Sequence, residues 1–153
     1  MAEVKRTYYP SGQICQEYFE VDGKKEGICK LYYQSGNIKE IVPYINGLQH
    51  GEIKWYWDNG KIETEFFMKN GKYHGEHKQY DENGELYEYR IYIDDSIYCD
   101  CKDFTSRYGI PVSIVMYYDN KYPNGYKECR FDGISIEDVI KQKLISCEVD
   151  YFF

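Results

Sequence analysis

The sequence predicts an all-β repeat protein, an elongated antiparallel β-meander of 24-residue hairpin units with a short C-terminal capping segment that contains one helix. Three observations predict it. A Ser-Gly or Asn-Gly turn recurs every 24 residues, a second glycine turn recurs between these, and an aromatic residue precedes the first turn at a constant distance. A fixed period in this range is typical of repeat architectures, in which each unit buries its apolar surface against its neighbours.

The repeat is carried by separate columns of residues that keep one register. The first glycine column contains Gly12, Gly36, Gly60 and Gly84, the second Gly23, Gly47 and Gly71, and the third Gly27, Gly51 and Gly75. The aromatic column contains Tyr8, Tyr32, Tyr56 and Tyr80. Because independent columns rarely share a register by chance, we interpret the period as structural.

Each unit is expected to be a β-hairpin. Its two turn signals are illustrated by Asn46-Gly47 and Asn59-Gly60. Asn-Gly between strand-like runs favours a two-residue turn in which both residues have positive φ. The runs between turns, such as residues 53–57 and 65–68, favour strands and are too short and too aromatic for helices. We therefore expect residues 7–98 to form the repeat array.

The period decays towards the C-terminus, where Asp95 and Cys99 stand in place of the next two glycines. We assign residues 99–153 to a C-terminal cap, because a repeat array needs an end that closes its open edge. Residues 110–118 predict a strand that starts near Pro111, and residues 122–125 predict a turn. Ser135 as an N-cap, followed by apolar residues at 136, 139, 140 and 144, predicts an amphipathic helix over residues 136–145.

Composition and charge narrow the partners. The formal net charge of −7 opposes phosphate backbones, so we expect no nucleic-acid partner. No run approaches the roughly 18 uncharged apolar residues that a membrane helix needs, and we expect no membrane contact. The N-terminal residues have no secretory apolar region, which predicts an intracellular, cytoplasmic protein whose six cysteines are free thiols.

One unit carries a family pattern. From Tyr44 to Lys61 the sequence contains Tyr-x-Asn-Gly-x-x-His-Gly, an aromatic pair and Asn-Gly-Lys. This pattern resembles the MORN repeat, in the variant found in bacterial antitoxin-like proteins and in proteins of large DNA viruses. The resemblance covers residues 7–94. It implies a curved β-meander that supplies surfaces for protein contacts, and sometimes membrane contacts, more often than catalytic sites. Glu26 departs from the pattern, since it stands where His is expected.

Neither the histidines nor the cysteines predict a metal or cofactor. His50 and His74 share one repeat column, but equivalent positions lie two strands apart, roughly 10 Å, whereas nitrogens that share one zinc lie within about 3.5 Å. Four C-terminal cysteines could form a four-thiolate zinc site, but their Cys-x-Cys spacing differs from the usual Cys-x-x-Cys, and we expect free thiols. That set is Cys99, Cys101, Cys129 and Cys147.

The sequence predicts a binding protein and not an enzyme. It contains no nucleophile elbow, phosphate-binding loop or dinucleotide fingerprint. Strand alternation places one apolar surface across the first two full units, and we predict that it binds a protein partner or a second copy of the chain. The predicted contact residues are Leu31, Tyr33, Ile53, Trp55 and Trp57. The helix over 136–145, folding back, is the alternative cover.

The predicted function is therefore a non-enzymatic protein–protein interaction scaffold. Two alternatives stay open at this point. One is a structural component of a large assembly such as a virus particle, in which case the protein is located in the virion. The other is an antitoxin-like protein that neutralises a toxin partner.

Overall fold

The computed structural model describes residues 2–105, 111–118 and 126–141. Within these residues the chain forms twelve β-strands and one short α-helix. The strands are β1 (Ala2–Tyr8), β2 (Ile14–Val21), β3 (Lys24–Tyr32), β4 (Ile38–Ile45), β5 (Leu48–Gln49), β6 (Gly51–Tyr56), β7 (Ile62–Lys69), β8 (Lys72–Tyr80), β9 (Leu86–Ile93), β10 (Ser96–Thr105), β11 (Pro111–Tyr118) and β12 (Tyr126–Asp132). The helix is α1 (Ile136–Lys141).

All the described strands belong to one antiparallel meander, in which each strand other than β5 pairs with the next along the chain. The short β5 pairs with the end of β4, and β6, which follows it along the chain, also pairs with β4. The predicted fold class is confirmed. The predicted boundary at residue 98 falls inside β10, and strand pairing continues across it to β12. The strand at Pro111 and the helix at Ile136 begin where predicted, while residues 122–125 and 142–145 lie outside the described residues.

The two-residue turns have the predicted conformation. Asn46 and Gly47 have φ of 53° and 83°, and Asn70 and Gly71 have φ of 52° and 79°. This pair of positive φ values matches the twist of the flanking strands. Asp95 adopts φ of 72° without being glycine, at a cost in strain. Its N–H and carboxylate both bond to the backbone of the preceding unit.

Those bonds to the preceding unit form a column. The second turn residue donates its N–H to a carbonyl 22 residues earlier, at 2.9 Å for Gly47 to Lys25 and 2.8 Å for Gly71 to Gln49. Asp95 repeats this bond, and its Oδ1 accepts the N–H of Tyr73 at 2.8 Å. Each turn is therefore fixed to the unit before it.

Direct pairing across strands identifies the two faces of the sheet, because opposite residues point to the same side. We call the first the Trp55 face. The pairs Ile53–Phe66 and Phe66–His77 place these residues on it. We call the opposite side the Lys54 face. It carries the side chains that alternate with them, such as Lys54 and Phe67.

Two buried clusters lie on opposite faces of the sheet. The first, on the Trp55 face, consists of Cys29, Val42, Ile53, Phe66 and Met68. The second, on the Lys54 face, consists of Tyr89, Ile91, Cys99, Cys101 and Val139. Val139 belongs to α1, so the described part of the helix covers the Lys54 face at β9, β10 and β11.

The change of face follows from a shorter bulge in β10. In β8, the partners of Phe66 and Met68 are His77 and Tyr73, so the bulge around Gly75 adds two residues. In β10 the equivalent irregularity adds a single residue, between Ile97 and Cys99. A one-residue shift moves every later side chain of a strand to the other face. Cys99 and Cys101 consequently point towards α1.

We expect Gly71→Val to lower the free energy of unfolding by about 1 kcal/mol or more, because a β-branched residue is strained at φ of 79°. Urea denaturation checks this. Lys72→Val is the matched control, since it places the same side chain on the adjacent exposed strand position, where valine is favoured. Equal stability of the two variants would contradict the left-handed turn.

Candidate functional site

The structure brings three of the five predicted contact residues together. Ile53 is only 1% exposed and lies within the buried cluster of the Trp55 face. Leu31 and Trp55 are half-buried and pack against that cluster from neighbouring strands. Tyr33 and Trp57 lie just beyond the ends of β3 and β6, at the first position of the longer turns.

Tyr33 and Trp57 fasten one unit to the next. The Tyr33 hydroxyl donates to the Tyr56 carbonyl at 2.7 Å, and the Trp57 indole Nε1–H donates to the Tyr80 carbonyl at 3.3 Å. Tyr9 makes the same bond to Tyr32 at 2.6 Å. Burial raises the pKa of the Tyr33 hydroxyl. These side chains therefore hold the repeats in register, a role that strand alternation alone did not reveal.

The Trp55 face has an outer layer of half-buried side chains over its buried cluster. Trp55 contacts Phe66 edge-on with ring centroids 5.4 Å apart, and Tyr73 contacts Phe66 at 5.2 Å. The Lys25 ammonium lies over the rings of Tyr18 and Tyr44 at 4.7 and 5.1 Å. This outer layer consists of Tyr18, Leu31, Tyr44, Trp55 and Tyr73. In the described part of the chain, the one helix packs on the opposite face.

A group of paired charges lies on the Trp55 face at β9 and β10. Arg90 occupies the position opposite His77, and it pairs with Asp100 at 3.0 Å and with Glu88 at 2.6 Å. Asp100 is buried, so the pair satisfies its charge. The aromatic contacts of this face reach Tyr92 of β9, whose ring lies 5.1 Å from that of Tyr73.

His77 is a buried polar residue on the Trp55 face, packed among aromatic rings. It is 7% exposed, its ring stacks on Phe66 at 5.5 Å, and Tyr73 and Tyr92 approach its edges. Its Nδ1 has no hydrogen-bond partner among the residues that the structure describes. Burial, reinforced by the Arg90 cation, lowers the pKa of the imidazole to about 4. His77 is therefore neutral at physiological pH and acts as an aromatic core residue.

The His column caps the two-residue turns. His50 Nδ1 lies 3.0 Å from Asn70 Oδ1, and His74 Nδ1 lies 3.3 Å from Asp94 Oδ1. Glu26 does the same work in the first unit, where its carboxylate accepts the N–H of Asn46 at 2.7 Å. Each side chain reaches the first residue of the next turn, which explains why Glu is accepted in this column.

The five cysteines that the structure describes are free thiols. Cys99 and Cys101 are fully buried, with their sulfurs 3.7 Å apart, and Cys129 packs against their cluster. Cys147 lies outside the described residues. Within the part of the chain that the structure describes, no group of three or more His, Cys, Asp or Glu side chains is placed to hold a metal ion.

The comparison with protein families matches the MORN repeat variant over residues 25–46, 49–70 and 73–94. These three consecutive units have the turns, bulges and glycine columns described above. These three units are MORN repeats of the variant type. This repeat type is generally a module for binding proteins or membranes and is not catalytic. None of the described helices is long and apolar enough to cross a membrane.

Other comparisons give little beyond the family. One solved structure that is similar is titled a Glycosylation Associate Protein complex from Streptococcus agalactiae, at 15% identity and a TM-score of 0.39. The match covers 94% of this chain and 24% of that chain, so this chain spans about a quarter of the length of that protein. No curated protein matches the chain.

We expect Tyr33→Phe to destabilise the fold by about 1 kcal/mol, because the Tyr56 carbonyl loses its donor while the ring stays in place. Thermal or urea unfolding measures the difference. Tyr8→Phe, which removes the hydroxyl of an exposed tyrosine, is the control and should leave stability unchanged. The role in joining repeats is refuted when both variants unfold alike.

We also expect His77 to make stability fall as the pH drops from 6.5 to 4. The folded-state pKa lies below the unfolded value, so in this window only the unfolded chain gains the proton, and the loss reaches up to about 3 kcal/mol near pH 4. His77→Ile, which copies the equivalent Ile53, should flatten this part of the curve. Identical pH profiles of urea unfolding for the two proteins would show that the imidazole is not held neutral.

Proposed function

We propose that the chain is a non-enzymatic protein-interaction scaffold whose partner contacts the outer layer of the Trp55 face. The observation that carries this proposal is the half-buried aromatic layer, over which the described part of the chain places no second layer. Tyrosine and tryptophan are typical anchors of protein interfaces, since each offers a large apolar area with a polar tip. An uncovered aromatic surface of this kind favours a partner.

The five predicted contact residues then have different roles. Leu31 and Trp55 present their outer surfaces to the partner, while Ile53 supports them from below. Tyr33 and Trp57 border the surface and keep its units in register through their bonds to the next repeat. A surface held in this way loses little conformational entropy on binding, which favours affinity.

The proposed setting is intracellular. The buried thiols Cys29, Cys99 and Cys101 are unbridged. Unbridged cysteines are usual in the reducing cytoplasm and less usual outside the cell.

Affinity capture from native extract with quantitative mass spectrometry tests the proposal. We expect at least one protein to be captured by the wild-type chain and by Tyr56→Ala, a half-buried substitution on the Lys54 face. The same protein should be lost with Trp55→Ala, with binding weakened about tenfold or more when the purified pair is measured. Circular dichroism must show that the variant is folded.

A second variant protects this test from loss of folding. Leu31→Glu places a charge at the same surface, and it should abolish capture in the same way as Trp55→Ala. Light scattering of the pure chain separates a heterologous partner from self-association. If both variants are folded and still capture every protein that the wild type does, the Trp55 face is not the binding surface.

A further inference from the structure

The Lys54 face carries a row of apolar residues that the described sheet leaves open. One column has the 24-residue spacing and contains Phe19, Pro43, Phe67 and Ile91. Phe19 is 49% exposed and Phe67 is 39% exposed, whereas Ile91 is 4% exposed. The side chains of Ile28, Ile45 and Leu48 add exposed apolar area near the first members of the column.

A helix already packs on the last residue of this column, Ile91. Ile91 is buried because α1 packs on it, with Val139 fully buried in the contact. In that unit Cys99 replaces the glycine of the third column and fills the space under the helix. In the preceding unit the equivalent residue is Gly75, and the space beside Phe67 remains open.

That open space is a groove of about 370 Å³ between β7 and β9. Gly75 forms its floor, while Phe67 lines one side and Tyr89 and Ile91 line the other. The two walls are two strands apart, on the order of 10 Å, which is about the width of one helix with its side chains. A helix lying there would be a neighbour of α1 on the same face.

The rim of the groove is acidic. It contains Glu52, Glu65 and Glu76. Lys54 pairs with Glu52 at 3.3 Å and Lys78 pairs with Glu76 at 2.7 Å, so three carboxylates share two ammonium groups. The side chains of Glu52 and Glu76 are 61% and 52% exposed. Burial raises the pKa of Glu76, but hydrogen bonds from Lys78 and Tyr89 outweigh this and hold its pKa below the usual value. The rim therefore remains negative at neutral pH, in a chain of net charge −7.

We propose that this groove binds an amphipathic helix of a partner protein, whose apolar residues contact the exposed side chain of Phe67 beside α1 and whose basic residues pair with Glu52 and Glu76. We infer a helix because α1 packs on Ile91, which belongs to the same column as Phe67. We infer basic residues on either side of its apolar face because the rim of the groove is acidic. The groove lies on the Lys54 face, so its binding of a helix does not depend on whether a partner binds the Trp55 face.

The probe is a fluorescein-labelled synthetic helix of leucine and lysine, with leucines at i, i+3, i+4 and i+7 and lysines elsewhere. Fluorescence anisotropy at physiological salt should show saturable binding to the full chain. Phe67→Ser should weaken binding about tenfold or more, because the apolar wall is lost. A peptide with glutamate in place of every lysine should not bind.

A pair of charge variants separates the groove from the general field of an acidic protein. Glu52→Lys with Glu76→Lys should weaken binding about tenfold, whereas Glu82→Lys with Glu85→Lys changes the net charge equally in an exposed distant turn and should change binding less than about twofold. The single variants Glu52→Lys and Glu82→Lys repeat the comparison should either double variant be unfolded. Trp55→Ala should leave binding of this probe unchanged.

Several results would overturn the proposal. Equal weakening by the two charge pairs, or unchanged binding to folded Phe67→Ser, would leave only non-specific attraction. A homodimer that dissociates in Phe67→Ser would assign the groove to a second copy of the chain. Tighter probe binding after deletion of residues 142–153 would assign it to the chain's own C-terminal segment.

Discussion

The bulge at the third glycine of each unit decides which side chains share a face, and both candidate surfaces depend on it. Around Gly27, Gly51 and Gly75 the strand gains two residues relative to its partner, an even number, so the alternation of faces is preserved from one unit to the next. Cys29, Ile53 and His77 therefore stack on the Trp55 face. Glycine is needed because φ is positive at all three positions. Where Cys99 replaces it, the strand gains one residue and the core moves to the other face.

Most of the fold could be predicted from the sequence because its signals are local. An Asn-Gly pair specifies the conformation of a two-residue turn, and a Ser N-cap specifies where α1 begins. The change of face could not be predicted in this way, since it depends on the number of residues in a bulge and not on the type of any one residue. A signal was nevertheless present in β9. Arg90 occupies the repeat position that is Val42 and Phe66 in the two preceding units, so a charge replaces an apolar residue on the Trp55 face. Ile91, the next residue, keeps the apolar character of the Phe67 column.

The candidate site was predicted in part, for a related reason. Strand alternation extended through Leu31 predicts that Tyr33 shares its face, but β3 ends at Tyr32 and Tyr33 begins the turn. From there its hydroxyl reaches a carbonyl 23 residues later, a contact between units that no pattern within a unit can show. The same reasoning applies to His50 and Glu26. His50 matches the repeat pattern and Glu26 departs from it, but both side chains bond to the first residue of the next turn. That shared role can be recognised only when the turn contacts are known.

The buried apolar residues of the described sheet lie on the Trp55 face from β3 to β7 and on the Lys54 face at β9 and β10. On the Trp55 face the aromatic contacts reach Tyr92 of β9, the strand whose Arg90 pairs with Asp100 of β10. On the Lys54 face the same strands are covered by α1, and the open groove lies immediately before them. A partner on the Trp55 face therefore meets no part of the described helix, whereas a helix in the groove would lie beside it. Because the two surfaces are on opposite sides of one sheet, occupation of one does not block the other, and the proposed scaffold would be able to hold two proteins together.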